Sequence, residues 1–322
     1  MMRIAVFGCG RMGAWFAREL AHENVVVVFD RDEERTQAVV NGQSLRGGAS
    51  STKNAQSYKA NAGVDIQTRD EITLGLACTQ AFMERSGGAT GIPSQSKSPQ
   101  PFAAIKPLLG PADLEAFQPD LFLNTVTLGQ TREAFAAAEP HLPDACTWAD
   151  VASIKGDLLE FYTRRGRRWA SVHPMFGPGH ADMDSPAGEN AIILAESDPT
   201  IANLFQAFFK IRGVRVFTCP AAEHDRWMSY SLTMPFLVSM AFAGCLEGAA
   251  PPGTTFRRQH GLAARLLAED NQLLTEILFN PYSLPQLERL TDRLEFLKHI
   301  LRGRDFDEAS RFFEDLRGRL GQ

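Results

Sequence analysis

The chain has few cysteines and no strong charge of either sign, and it lacks any apolar run long enough to cross a bilayer. Its five cysteines, Cys9, Cys78, Cys146, Cys219 and Cys245, are odd in number and contain no CxxC pair. That excludes a disulfide framework and fits buried free thiols in a reducing compartment. The net charge of -5 over 322 residues, with no basic stripe, argues against a nucleic-acid partner. The densest basic cluster, Arg164, Arg165, Arg167 and Arg168, reads as a solvated helix end. The longest apolar stretch, Met234 to Leu246, is too short for a membrane span. The first residues run straight into a strand, so no signal peptide is expected. No histidine pair has metal-ligand spacing, so no metal is expected. A soluble, cytoplasmic protein with room for two domains is the reading that remains.

The amino terminus carries the first positive signal. Arg3–Phe7 is a short apolar run of the kind that forms a buried parallel strand. Gly8-Cys9-Gly10-Arg11-Met12-Gly13 follows at once, and Ala14–Ala21 reads as a helix. In such a strand–turn–helix the first glycine makes the tight turn and the second lets a pyrophosphate approach the backbone. The third lets helix and strand pack closely, and the phosphates sit on the helix N-terminus. A second strand, Val25–Phe29, ends in Asp30, where a carboxylate would hold both ribose hydroxyls and repel a 2′-phosphate. That favours NAD. Two alternatives stay open: Asp30 as a helix N-cap before Asp32-Glu33-Glu34, and Arg31 as the partner of a 2′-phosphate.

From about residue 42 to residue 107 the chain is rich in Ser, Gly, Ala, Gln and Asn, with an apolar stretch at Ile72–Met83. This span reads as a flexible insertion on a Rossmann-type scaffold. Order resumes with the strand Asp120–Val126, whose end at Thr125, Val126 and Thr127 falls where a cofactor lies in a doubly wound sheet. Thr147–Val151 is a further strand, leading into Ala152-Ser153-Ile154-Lys155. Ser153 is either an N-cap for a helix over 157–162 or a polar group at the cofactor side, and Lys155 is either there or solvent-facing. Strand pattern returns at Asn190–Ala195 and Val214–Phe217.

The run Ser171-Val172-His173-Pro174-Met175-Phe176-Gly177-Pro178 places a histidine just past a strand end, before a proline-glycine turn. Such a histidine can reach a ligand, and it can equally be a structural turn residue. From Ala222 the pattern becomes helical, with Glu223-His224-Asp225 opening a long apolar segment. A helix over 256–267, capped by Thr254 or Thr255, carries Arg257 and Arg265 about 80° apart around the axis and roughly 12 Å along it. Both can face one cleft; alternatively Arg265 pairs with Glu269 or Asp270. Leu287, Leu290, Leu294, Leu297 and Leu301 keep the spacing of an amphipathic packing helix, and Asp305 with Glu308 resembles a capping box. These patterns predict an α/β Rossmann-type N-terminal domain, 1–219, followed by an all-α domain, 220–322.

Taken together the motifs resemble the prephenate dehydrogenase family of tyrosine biosynthesis, which includes the arogenate dehydrogenases. The resemblance covers Met2 to about Arg46 and about Leu109 to the C-terminus. It rests on Asp150-Val151-Ala152-Ser153-Ile154-Lys155, on His173-Pro174-Met175-Phe176-Gly177-Pro178, on Glu223-His224-Asp225 and on Thr255 through Asp270. It implies NAD-dependent oxidative decarboxylation, with His173 taking the substrate hydroxyl proton and Ser153 and Lys155 flanking the substrate. It further implies Arg265 on a substrate carboxylate, Arg257 as a second candidate, His224 at the substrate, and a homodimer paired through its helical domains. Gly8, Gly10, Arg11, Met12, Gly13, Asp30 and Arg31 would hold the cofactor. One departure stands out: where relatives often carry Ser-His-Leu-Pro-His, this chain has Leu232-Thr233-Met234-Pro235-Phe236, losing both histidines. An arogenate dehydrogenase and a non-catalytic protein responsive to NAD or tyrosine are the alternatives.

Overall fold

The computed structural model describes residues 1–43, 104–177, 182–248 and 251–321. The described residues belong to one compact unit, Met1–Gly47 with Ala103–Gln322. The span read as an insertion lies outside the described residues, as do Cys78 and Ile72–Met83, apart from 42–43 and its last few residues.

Among the described residues, eight strands form a single sheet: β1 (Arg3–Phe7), β2 (Val25–Phe29), β3 (Lys106–Pro107), β4 (Leu121–Asn124), β5 (Thr147–Asp150), β6 (Trp169–Pro174), β7 (Asn190–Leu194) and β8 (Arg215–Cys219). Their spatial order is β3-β2-β1-β4-β5-β6-β7-β8. The first six strands are parallel and follow the doubly wound order of a dinucleotide-binding sheet. β7 runs antiparallel to β6, and β8 parallel to β7.

Helices α1 (Arg11–Leu20), α2 (Glu33–Val40), α3 (Leu114–Phe117), α4 (Leu128–Ala138), α5 (Leu158–Arg165) and α6 (Pro199–Ile211) flank the sheet. Both faces of β1, β2, β4 and β7 are covered, which is why these strands are largely continuous apolar runs rather than alternating ones. In β1, Ile4 and Val6 join one core with Trp15, Phe16, Phe205 and Phe209, while Ala5 and Phe7 join the other with Phe122, Phe135 and Trp148. The basic cluster is not simply solvated. Arg165 pairs with Glu139, and Arg167 donates to the Pro143 carbonyl at 3.0 Å and lies over the Trp148 ring.

The second half is helical: α7 (Ala221–Met228), a π-helical turn (Ser229–Thr233), α8 (Met234–Gly244), α9 (Thr254–Leu266), α10 (Asn271–Leu278), α11 (Ser283–Gly303) and α12 (Phe306–Arg319). The long apolar helix read from the sequence is therefore one rod with a π-turn inside it. α9 starts from Gly253 with no side-chain cap, so neither Thr254 nor Thr255 caps it. Asp305 does cap α12, accepting from the Glu308 N–H at 2.9 Å. Cys9, Cys146 and Cys219 are buried free thiols, but Cys245 is exposed. Burial lifts the first two to about 12 and Cys219 to about 11. No helix among the described residues is long and apolar enough to cross a membrane.

Candidate active site

A cavity of about 890 Å³ opens at the C-terminal ends of the parallel strands. Gly8, Gly10, Arg11 and Met12 line it from the β1–α1 turn, Asp30 and Arg31 from the end of β2, and Thr125, Val126 and Thr127 from the end of β4. Ser153, Pro174 and Phe176 complete the wall beyond β5 and β6. Of the cofactor residues read from the sequence, Gly13 alone stands back from the cavity, and its role is packing. A Cβ on Gly13 would come within 1.8 Å of the Gly8 carbonyl oxygen and 2.4 Å of Thr125 Oγ1.

The turn has the features of a phosphate cradle. Gly8 has φ +98° and donates its N–H to the Phe29 carbonyl at 2.8 Å, a conformation that side chains disfavour. A Cβ on Gly10 would meet nothing within 4 Å, so the protein leaves that approach open. α1 begins at Gly10 with no side-chain cap and no acidic residue in its first turn, which leaves its N–H groups and positive dipole end available to an anion. Asp30 is held by the N–H groups of Cys9 at 2.7 Å and Asp32 at 2.9 Å. The helix cap is Asp32, which accepts from Glu34 and Arg35, so the N-cap reading of Asp30 falls away. Arg31 instead approaches Glu133 at 3.5 Å on the surface. These residues fit a dinucleotide.

Behind the wall lies a buried polar network. Asp150, at the end of β5, is fully buried and accepts from Lys155 Nζ at 2.9 Å, the Tyr162 hydroxyl at 2.8 Å and the Ala152 N–H at 3.0 Å. Burial and the adjacent Asp150 carboxylate push the Tyr162 hydroxyl well above its ordinary range. Lys155 is 2 % exposed and also donates to the Val172 carbonyl at 2.8 Å. It therefore neither faces solvent nor lines the cavity; it ties the loop after β5 to β6. Ser153 does line the cavity, and the helix after it starts from Asp157 with no side-chain cap, which removes Ser153 as the N-cap.

His173 belongs to β6 and not to a turn past it. The antiparallel partner β7 extends the ladder through His173↔Ile192 and Pro174↔Ala191, and the proline sits at the strand end where its missing N–H is tolerated. Pro178, at the end of the motif, lies outside the described residues. His173 is 4 % exposed; its neighbour Pro174 lines the cavity, but His173 does not. Its Nδ1 lies 3.2 Å from Nε2 of His224, and His224 Nδ1 lies 2.8 Å from Asp225 Oδ1. Asp225 also accepts the N–H groups of Lys155 and Gly156, each at 2.8 Å. His224, expected at the substrate, is fully buried behind His173 instead.

Burial, then His224 and Lys155, hold His173 well below the usual histidine range. Burial also lowers His224, with the Asp225 hydrogen bond opposing it only in part. Burial alone would raise Asp225, but the hydrogen bonds from His224, Lys155 and Gly156 outweigh it and keep the carboxylate low. The site thus holds two neutral imidazoles in series on one carboxylate.

The helical half closes the other side. Glu269, Asp270, Leu273 and Glu276 line the cavity. Glu269 pairs with Arg11, and Glu276 accepts the N–H groups of Leu128 at 3.1 Å and Gly129 at 2.9 Å, capping α4. Arg257 and Arg265 are exposed and do not line the cavity. α9 buries Ala263 and Leu266, and at 3.6 residues per turn Arg265 lies about 100° or more from both while Arg257 lies about 180° from Leu266. The pairing of Arg265 with Glu269 or Asp270 is not seen either: Glu269 takes Arg11, and Asp270 caps α10 through the Leu273 N–H. Thr233 is fully buried and donates to the Ile277 carbonyl at 3.2 Å, while Phe236 packs with Leu266 and Ile277. Both departures from the histidine pattern are core residues here.

Tyr162 and Glu276 were not read from the sequence at all, Asp150 and Asp225 only as members of motifs, and Glu269 only as a partner for Arg265. A signal existed for Asp150, a charge ending an otherwise apolar strand, and for Asp225, which directly follows His224. Tyr162 and Glu276 sit on ordinary amphipathic helices and Glu269 in the turn between α9 and α10, and none of the three carries one.

No protein-family model matches the chain. It is 21% identical over 202 residues to a Methanocaldococcus jannaschii protein described as a "probable arogenate/prephenate dehydrogenase", an alignment spanning 58% of this chain and 44% of that protein's length. The prephenate dehydrogenase of Aquifex aeolicus, solved with hydroxyphenyl propionate and NAD+, superposes with a TM-score of 0.70 at 17% identity, covering 99% of this chain and 97% of that one. The Synechocystis arogenate dehydrogenase gives a TM-score of 0.64 at 14% identity, covering 99% of both chains. The fold of this chain is that of the prephenate and arogenate dehydrogenases, the family its motifs resemble.

Proposed function

We propose that the chain is an NAD-dependent prephenate dehydrogenase that converts prephenate to 4-hydroxyphenylpyruvate and CO2. The observation that carries this reading is a neutral histidine chained to a buried carboxylate beside a cavity with a dinucleotide's glycine turn and ribose acid. Bound NAD supplies the acceptor for the hydride that leaves the hydroxyl-bearing ring carbon. Gly8 and Gly10 with the α1 N-terminus hold the pyrophosphate, and Asp30 accepts from the ribose hydroxyls. His173 takes the hydroxyl proton, which suits an imidazole kept neutral by its surroundings. Ser153 donates to the substrate at the cavity wall. Lys155 holds β6 in place through the Val172 carbonyl and does not touch the substrate. The family resemblance assigns the substrate carboxylate to Arg265, with Arg257 second on the same helix, although neither lines the cavity of the single chain.

Arogenate carries an amine where prephenate has a keto oxygen, and an uncommitted carboxylate would favour it. Of the carboxylates that line the cavity, Glu269 pairs with Arg11, Glu133 lies 3.5 Å from Arg31, and Asp30, Asp32, Asp270 and Glu276 each accept a backbone N–H. None of them is without a partner, which supports the prephenate reading. The reading includes a Rossmann-type domain over 1–219, a helical domain over 220–322 and a cytoplasmic homodimer. Leu284, Leu287, Leu294, Leu301, Phe306 and Phe313 of α11 and α12 are exposed in the single chain, large apolar side chains that a second subunit would cover. NADH formation assayed with both substrates and both nicotinamide cofactors tests the reading. Turnover of prephenate with NAD is expected. Preference for arogenate would select the second activity, and no turnover of either substrate would leave a non-catalytic binding protein.

A further inference from the structure

We infer that His224 and Asp225 are positioning residues that fix the tautomer of His173, so that its Nε2 is always the bare, proton-accepting nitrogen. This rests on the reading of His173 as the base. Neither residue lines the cavity, and each reaches the substrate through the imidazole in front of it.

The assignment follows from donor and acceptor counting. A carboxylate only accepts, so at 2.8 Å from Asp225 Oδ1 the Nδ1 of His224 must carry a proton. His224 is neutral, so its Nε2 then has only a lone pair. The Nδ1 of His173, 3.2 Å away, must therefore be the donor. His173 is neutral as well, which leaves its Nε2 unprotonated, and that nitrogen takes no hydrogen bond among the described residues. When Nε2 accepts the substrate proton, the new imidazolium already points its Nδ1–H at a lone pair backed by a carboxylate. No proton has to move along the chain.

The charged groups around the pair act in a defined sense. Lys155 faces both histidines and disfavours their protonation, while Asp225 and Asp150 favour it at His224. Asp225 is itself anchored by the Lys155 and Gly156 N–H groups, and its own carbonyl accepts the Asn280 side-chain amide at 2.8 Å. One aspartate thus fixes α7, the loop after β5 and the base on β6 relative to one another.

The test is a long-range 1H–15N correlation spectrum of the full chain labelled at its seven histidines, recorded near neutral pH without substrate. His173→Asn and His224→Gln assign the two signals by their loss. Wild type is expected to show both residues protonated at Nδ1 and bare at Nε2. Asp225→Asn cannot face three N–H donors with one oxygen, so the Nδ1–H form of His173 should be lost or mixed. Turnover should then drop on the order of 10²–10⁴-fold, the cost of a base held in the wrong tautomer, with NAD affinity and KM unchanged. His224→Gln keeps an acceptor for His173 Nδ1–H and should retain more turnover than His224→Leu. His173 found with Nε2–H in wild type, or unchanged in Asp225→Asn, would overturn the inference. The spectrum needs no catalysis, so correct tautomers in a protein that turns over neither substrate would refute the dehydrogenase reading alone.

Discussion

Replacing Lys155 by Met should be among the most damaging single changes in the molecule, although it removes no part of the cavity wall. The ammonium is 2 % exposed and lies 2.9 Å from a carboxylate that is fully buried. Without it, Asp150 keeps the Tyr162 hydroxyl and the Ala152 N–H but no cation, and the Val172 carbonyl loses its donor. Breaking one side of a buried ion pair costs about 3–5 kcal/mol, because the surviving charge is left uncompensated. Against a typical total of about 5–15 kcal/mol, that is between about a fifth and the whole of the stability. The double variant Lys155→Met/Asp150→Asn removes both charges and should regain about 2 kcal/mol or more of the loss. Equilibrium urea denaturation, followed through the buried Trp148 of the same strand, reads both. A single variant costing under about 1 kcal/mol, or a double variant no better than the single, would refute the claim that the pair is held by mutual compensation.

Three further outcomes follow from the geometry. Gly13→Ala should abolish NAD binding or folding, since its Cβ would sit 1.8 Å from a backbone oxygen; an intact, cofactor-binding variant in a titration would contradict the packing role. Stability should fall as pH drops below about 6.5, because unfolded His173 and His224 take up protons that the folded chain resists; each contributes up to about 1.4 kcal/mol per pH unit. Above that pH the effect is absent, and Asp225, whose carboxyl is held low, adds its own loss only in stronger acid. Urea midpoints from pH 8 to 5.5 measure this, His224→Gln should reduce the slope, and a flat profile would contradict it. Asp30→Ser should erode the preference for NAD over NADP by about 1–3 kcal/mol, the worth of charged hydrogen bonds, and a wild type that prefers NADP would point to Arg31 instead.

What the sequence made legible is the half of the site built from local rules. Gly8, Gly10 and Gly13 announce a strand–turn–helix because each has a separate steric duty, and Asp30 follows at the end of a strand that is apolar to its last residue. The boundaries of β1 and β2 coincide with their apolar runs for the same reason, burial on both faces. The long-range half was hidden. Nothing in Val172-His173-Pro174 reveals that an antiparallel β7 carries the strand through the proline, so the histidine reads as a turn residue. Lys155 looks solvent-facing until Asp150, five residues earlier, is brought back against it by the turn. Arg257 and Arg265 share a face by spacing alone, but the buried face of α9 is chosen by Leu266 packing with Phe236 of α8 and Ile277 of α10, which no local pattern encodes.

The central claim is that His173 is the base of a dehydrogenase, and His173→Asn tests it most directly. Asparagine keeps a polar side chain of similar shape but cannot take a proton at neutral pH. Single-turnover NADH formation from prephenate should fall by roughly 10²–10⁴-fold, the usual worth of a general base, while the NAD dissociation constant stays unchanged because the glycine turn and Asp30 are untouched. Near-normal turnover by His173→Asn across neutral pH would contradict the account.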